Sequence, residues 1–315
     1  MALIQTLSSL TNSKLYKVLC TTICMKYESL WDSFTITDKE YPKEARNMKY
    51  RGTLDGVLKE TEKIITSKNS AYHSVIKNIP GVHRYLDNRM HKNNLSLALH
   101  ASRIIRSSME HKIANEGSGD SEEILKRSIG LGLNIYRDPK SSLGELENFR
   151  SYINQSKDGK ILQKGLIQDM DRKSWKASNP KLSFGSAKHL HDLTNGNNVL
   201  FLALGNGGIA PGMDVYLRYC DYLDDPNSDF YVARFSKTKK QDIAPQLTDA
   251  EKKHIQVLSQ GKQIVLFDED VNTRKTMEEA KIYFEETFNK PVKALANFSY
   301  SEDYINFCYS GRYLS

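Results

Sequence analysis

Three consecutive acidic residues, Asp268, Glu269 and Asp270, follow an unbroken apolar run from Ile264 to Phe267 and precede a short polar stretch holding Thr273 and Thr276. The apolar run has the character of a central parallel strand buried on both faces. Beyond it, Met277, Ala280, Phe284 and Phe288 repeat at helical spacing, so Thr276 is expected to cap a helix. Strand, loop and helix then set two kinds of chemistry side by side. A helix start offers unpaired N–H groups and the positive end of its dipole, which together favour a phosphate, and the two threonines add hydroxyl donors. Adjacent carboxylates accept from the vicinal hydroxyls of a sugar or hold a hydrated Mg2+. A sugar phosphate satisfies both halves. The alternative is that the acids form only a solvated capping segment.

A second constellation lies upstream. Val199 to Leu204, all apolar, reads as the first buried strand and runs into Gly205, Asn206, Gly207, Gly208, Ile209, Ala210, Pro211 and Gly212, followed by a helix with Met213, Leu217 and Cys220 inward. A glycine-rich turn from strand to helix lets backbone amides approach an anion closely. The pattern Gly205-x-Gly207-x-x-Ala210 also fits a dinucleotide fingerprint, but that reading needs an acidic residue at the end of the next strand. The next strand, Phe230 to Phe235, runs instead into Ser236, Lys237, Thr238 and Lys239. Arg234, Lys237, Lys239 and Lys240 make this loop cationic; they meet an anion or are merely solvated.

The acidic strand end and the Thr-x-x-Thr turn resemble the motif with which type I phosphoribosyltransferases bind phosphoribosyl pyrophosphate (PRPP), here Asp268, Glu269, Asp270, Val271, Asn272, Thr273, Arg274, Lys275 and Thr276. The resemblance implies that Asp268 and Glu269 hold the ribose hydroxyls and, indirectly, Mg2+, while Asn272, Thr273, Arg274, Lys275 and Thr276 hold the 5′-phosphate. It also implies that Gly205, Asn206, Gly207 and Gly208 form the pyrophosphate loop. Arg234, Lys237, Lys239 and Lys240 then belong to a mobile loop that closes over PRPP and keeps water away. The purine-salvage branch is nearest, since Thr273 to Met277 resembles its Thr-Gly-Lys-Thr-Met turn.

The chain departs from that pattern at three places. Arg274 replaces the usual Gly of the turn, losing cheap access to positive φ but adding a cation. Asn272 stands where the purine enzymes carry an Asp that helps move a proton on the base. Asn206 replaces the basic residue before Gly207 and Gly208. No general base is identifiable. The three elements nevertheless occur in the family's order between about residues 195 and 300.

These elements sit in a chain of 315 residues with 26% charged and 39% hydrophobic residues and a net charge of +7, a soluble, rather polar composition compatible with an anionic ligand or with a solvated basic surface. Cys20, Cys24, Cys220 and Cys308 give neither zinc spacing nor a disulfide framework, which suggests a reducing compartment. Neither a basic, apolar leader nor a run of eighteen apolar residues is present, so a cytoplasmic protein without membrane contact is expected.

Before about Ser174 the periodicity is helical: Leu15, Val18 and Leu19; Leu54, Val57, Leu58, Ile64 and Ile65; then Leu97, Ala101, Ile104, Ile105 and Met109, whose opposite side carries Arg103, Arg106 and Lys112. That side is a solvated face or one that meets an acidic partner or nucleic acid. Residues 71–93 mix His, Arg, Lys and Tyr as nucleic-acid surfaces do, although no known module fits. His73, His83, His91, His100 and His111 lack metal spacing and read as ordinary surface or partly buried histidines. Asp120 with Glu123 makes a capping pair for a helix through Ile124, Leu125 and Ile129; another helix follows Ser142 with Leu143, Leu146, Phe149 and Ile153 on one side. Residues 155–180 are polar and mark a boundary. Thereafter strands alternate with helices, including a capping box at Thr248 and Glu251, a stop at Gly261 and a last strand from Val292 to Phe298.

The expected fold is therefore α/β, a parallel-sheet, type I phosphoribosyltransferase-like domain (176–315) preceded by a mainly helical domain (1–175). The expected function is phosphoribosyl transfer from PRPP, with Mg2+, to a base or macromolecular acceptor. In the resembled fold a variable hood holds the acceptor, where Tyr300, Tyr304, Phe307, Tyr309 and Tyr313 can stack on a base or else pack on the helical half. The layout also resembles phosphoribosyltransferase-like effectors of bacterial conflict systems, such as those encoded beside retrons. Two alternatives stand: a non-catalytic PRPP sensor that binds nucleic acid through its basic helical half, and a subunit with a degenerate pocket that works only within a complex. A homo-oligomer or a complex with a partner protein is expected.

Overall fold

The computed structural model describes residues 49–67, 92–116, 118–170, 180–205, 207–223, 227–236, 242–271 and 275–299. The first part is helical: α1 Leu54–Thr66, α2 Lys92–Ala114, α3 Gly119–Arg137, α4 Leu143–Gln155 and α5 Lys157–Lys164. Strands β1 Lys49–Thr53 and β2 Leu166–Met170 bracket these helices and pair antiparallel, Lys49 opposite Met170 and Thr53 opposite Leu166. Helix α5 and strand β2 both lie in the polar stretch that sequence periodicity left without an element.

From α6 Pro180–Thr194 onward the chain alternates: β3 Val199–Leu204, α7 Ile209–Asp221, β4 Asp229–Ala233, α8 Asp249–Leu258, β5 Gln263–Val271, α9 Lys275–Phe288 and β6 Val292–Ser299. The last four strands form one parallel sheet in the order β4-β3-β5-β6, so the protein is α/β as expected. Every residue of β3 is buried, and so are Ile264 to Phe267, because helices cover both faces of a parallel sheet. Met277, Ala280, Phe284 and Phe288 are the buried positions of α9, and Leu146, Phe149 and Ile153 those of α4, matching their helical periodicity. Thr248 and Glu251 form the capping box that opens α8, and Gly261 takes φ 68° in the turn beyond that helix.

Other local signals lose to tertiary contacts. Asp120 does not cap α3, which begins at Gly119; its carboxylate accepts instead from the Ser156 hydroxyl at 2.8 Å, and Glu123 pairs with Arg127. The charged side of α2 is no solvated face, because Arg103 and Lys112 are each only 2% exposed. Helix α7 is buried from Ile209 through Cys220, enclosing the ion pair between Arg218 Nε and Asp214 Oδ1 at 3.0 Å. Burial pushes the Cys220 thiol up to about 11, so it stays protonated and unreactive. No helix among the described residues is long and apolar enough to cross a membrane. Leu15, Val18, Leu19, Cys20, Cys24, His73, His83, His91, Cys308 and the aromatic residues from Tyr300 to Tyr313 lie outside the described residues.

His100, far from an ordinary surface histidine, is 3% exposed. Its Nδ1 faces Arg103 Nη1 at 2.8 Å and its Nε2 faces Glu60 at 3.3 Å, while the Arg103 guanidinium lies 4.1 Å from the centre of the Tyr50 ring. Arginine only donates, so Nδ1 must accept and the ring is neutral. Burial, and then the Arg103 charge, lower the His100 pKa to about 3. A folded-state pKa below the unfolded value means that the unfolded chain binds the extra proton. Stability from this group is thus present above about pH 6.5 and is lost as pH falls toward 3, by up to about 1.4 kcal/mol per pH unit. Urea midpoints measured between pH 7 and 4 should fall, and His100→Gln should flatten that dependence; equal slopes in both proteins would contradict a neutral buried ring.

Candidate functional site at the sheet's switch point

After β3 the chain crosses to β4 on one side of the sheet and later returns to β5 on the other, so strand order reverses between β3 and β5. Open α/β sheets bind ligands in the crevice at the carboxyl ends of the strands flanking such a reversal. The crevice here has unequal walls. The last pair between β3 and β5 is Ala203 with Phe267, whereas β5 and β6 stay paired out to Val271 and Ser299. The glycine loop folds against this projecting arm.

Gly205 has φ 59°, a conformation cheap only for glycine, and its N–H donates to the Ala233 carbonyl at 2.9 Å, tying the loop to the end of β4. Gly207 meets a tighter constraint: a Cβ added there would lie 1.7 Å from Glu269 Oε1 and 2.5 Å from Oε2. The carboxylate therefore rests directly over this glycine. Gly208 is the N-cap of α7; it supplies no capping side chain, and the first turn contains no acid. The positive end of this helix dipole thus points into the crevice with Glu269 as the nearby negative charge.

The acids do not follow β5, as the sequence suggested, but belong to it: Asp268 pairs with Ala296 and Asp270 with Phe298. The side chains of Asp268 and Glu269, adjacent in the strand, therefore leave opposite faces. A Cβ on Gly212 of α7 would touch Phe267 and Phe201, so Phe267 faces α7 and Glu269, two residues on, faces the same side. Asp268 leaves the opposite face, where its Oδ1 accepts from the Glu269 N–H at 2.9 Å. With right-handed crossovers α7 and α9 lie on opposite faces of the sheet, so the two carboxylates look toward the starts of two different helices. Thr276 is not the cap of α9 but its second residue, and the exposed Lys275 is the first. A cation at that end of a helix is unfavourable, and Glu278 is the acid in the same first turn that offsets it. Asn272, Thr273, Arg274 and Asn206 lie outside the described residues.

Arg234 has partners of its own. Its Nη1 pairs with Glu110 at 3.0 Å and its Nη2 with Asp242 at 2.8 Å, while Asp242 also accepts from the Ser236 N–H at 2.9 Å. This guanidinium pins the base of the cationic loop to α2 rather than reaching freely into the crevice. Neither acid was singled out from sequence: the ion pair with Glu110 spans 124 residues and leaves no local signal, while Asp242 lies 8 residues from Arg234 within the loop segment read only as cationic. Lys237, Lys239 and Lys240 lie outside the described residues. Among the described residues no group of three or more His, Cys, Asp or Glu could hold a metal ion. Mg2+, however, is commonly held by one or two carboxylates with the remaining oxygens supplied by ligand phosphates and water, and Glu269 fits that lesser requirement.

Compared with models of known protein families, with curated proteins and with solved structures, the chain matches none.

Proposed function

We propose that this chain binds PRPP in the crevice between β3 and β5 and transfers its phosphoribosyl group to a base or macromolecular acceptor, releasing pyrophosphate. One observation carries the reading. Glycine loop and acidic strand end, about 60 residues apart in sequence and each resembling an element of the same family, are in contact at the switch point through Gly207 and Glu269. The divergence of the acids suits a ligand that is anionic at both ends. Its diphosphate would meet the loop and the start of α7, its 5′-phosphate the start of α9 near Lys275 and Thr276, and its ribose hydroxyls Asp268 and Glu269.

In the reaction a lone pair of the acceptor forms the bond to ribose C1, the bond from C1 to the pyrophosphate oxygen breaks with its electron pair leaving on pyrophosphate, and the acceptor loses a proton. Mg2+, when bound, neutralises charge on the leaving pyrophosphate. The chain's own part is positioning and electrostatics: α7 stabilises the departing anion, and the carboxylates fix the ribose.

The sensor reading keeps the same pocket without turnover. The buried Arg103 and Lys112 weaken its nucleic-acid half, since they take two cations off the surface it would use. Calorimetric titration with PRPP and Mg2+, followed by an assay for released pyrophosphate against pooled nucleobases and RNA, tests both readings. Binding with release is the expected result; binding without release favours the sensor, and no binding removes the PRPP site.

A further inference from the structure

We infer that Glu269 is an internal competitor for the anion cradle, so that the site holds a ribose-bearing diphosphate but rejects free pyrophosphate. The inference rests on the PRPP reading and adds to it a means of telling substrate from product. Over Gly207 the carboxylate occupies the place where any side-chain carbon would overlap it, with Oε1 1.7 Å and Cδ 2.1 Å from an added Cβ. A diphosphate drawn to the start of α7 comes up beside this carboxylate. The charge is also in demand there, because α7 begins at Gly208 without a capping side chain and without an acid in its first turn. Without a bridging cation two like charges repel each other in one cradle, so an anion alone enters only if the carboxylate leaves.

Ribose supplies the reason to leave. Its hydroxyls offer donors to the carboxylate, and a carboxylate that turns onto them leaves the start of α7 to the diphosphate. Once the bond to C1 has broken and the ribosylated product has left, the remaining pyrophosphate carries no hydroxyl to hold Glu269 aside. The carboxylate returns to the loop and displaces the product. Glu269 is half-buried and its neighbour Asp268 stands on the other face of β5, so this swing requires no movement of the strand.

The test is calorimetry with two probes, inorganic pyrophosphate and PRPP, against the full chain and its Glu269→Gln variant, each with excess Mg2+ and again with a chelator. Glutamine keeps the shape and removes the charge. The expected signature is a change of opposite sign: about tenfold tighter pyrophosphate and weaker PRPP, with the pyrophosphate gain persisting in chelator. Ribose 5-phosphate should raise the pyrophosphate affinity of the unaltered chain but not of the variant. Glu269→Ser, which also vacates the space over Gly207, should shift pyrophosphate in the same direction, and thermal unfolding checks that both variants fold. Pyrophosphate affinity that is unchanged or weakened in folded variants, while PRPP still binds the unaltered chain, would overturn the competitor role and leave the site standing. An unaltered chain that binds neither probe would overturn both.

Discussion

Replacing Lys112 by Met should cost about 3–5 kcal/mol of unfolding free energy, read as a lower urea midpoint at constant slope. Lys112 Nζ lies 2.6 Å from Glu251 Oε2 and 3.1 Å from the Gln246 carbonyl, with the two side chains 2% and 0% exposed. Glu251 also accepts from the Tyr231 hydroxyl at 2.9 Å and from the Thr248 N–H at 2.8 Å, while its own N–H completes the capping box. One carboxylate thus joins α2, β4 and the start of α8. Methionine fills the volume of the lysine stem but leaves the carboxylate buried without its cation, which is the costly way to break such a pair. Tyr231, whose hydroxyl burial and the Glu251 charge hold well above its usual pKa, stays a donor and limits the loss. Adding Glu251→Gln should recover part of it, because the orphaned charge goes too, so the double variant loses less than the sum of the singles. A Lys112→Met change within about 0.5 kcal/mol of zero, the range of ordinary surface substitutions, would show that water reaches the carboxylate.

That network also shows where sequence reading stops. Thr248 and Glu251 lie three residues apart, and their capping box was legible because both partners are local. Lys112 and Glu251 are 139 residues apart, and nothing near either one announces the other. Lys112 read instead as part of the polar side of an amphipathic helix. The structure packs other elements on that side, and Arg103 and Lys112 each find a specific partner there. Helix α7 shows the same limit: periodicity rightly gave inward positions at Met213, Leu217 and Cys220, but Asp214 and Arg218 are buried beside them as a pair.

The site was legible to a similar depth. Unbroken apolar runs revealed β3 and the buried part of β5, because only strands covered on both faces lack polar alternation. The glycine loop was visible as composition, but composition gives two reasons for a glycine and cannot rank them. At Gly205 the reason is backbone conformation, and at Gly207 it is the carboxylate of a strand sixty residues on. The acids ran together in sequence and so read as one pair acting on one ligand group. Strand geometry separates them onto two faces, a consequence that follows only once the strand is known to continue to Val271.

That separation makes the second large effect specific. Asp268→Asn should weaken PRPP about 5–15-fold, the loss expected when a charge-assisted hydrogen bond becomes a neutral one. Pyrophosphate affinity should stay unchanged, since Asp268 faces away from the glycine loop. Asparagine keeps Oδ1 as the acceptor for the Glu269 N–H, so the local strand geometry and the thermal midpoint should be preserved. The comparison with Glu269→Gln is what gives the result its meaning. If the two acids were one ribose clamp, both variants would lose PRPP and neither would alter pyrophosphate. If both served a shared cation, both would lose the two ligands together in Mg2+. The competitor role proposed for Glu269 gives a third pattern, with PRPP weakened by either change and pyrophosphate tightened only by the loss of Glu269. Equal behaviour of the two variants toward pyrophosphate would mean that the carboxylates act together in solution, and that the side of β5 from which each departs does not govern what it binds.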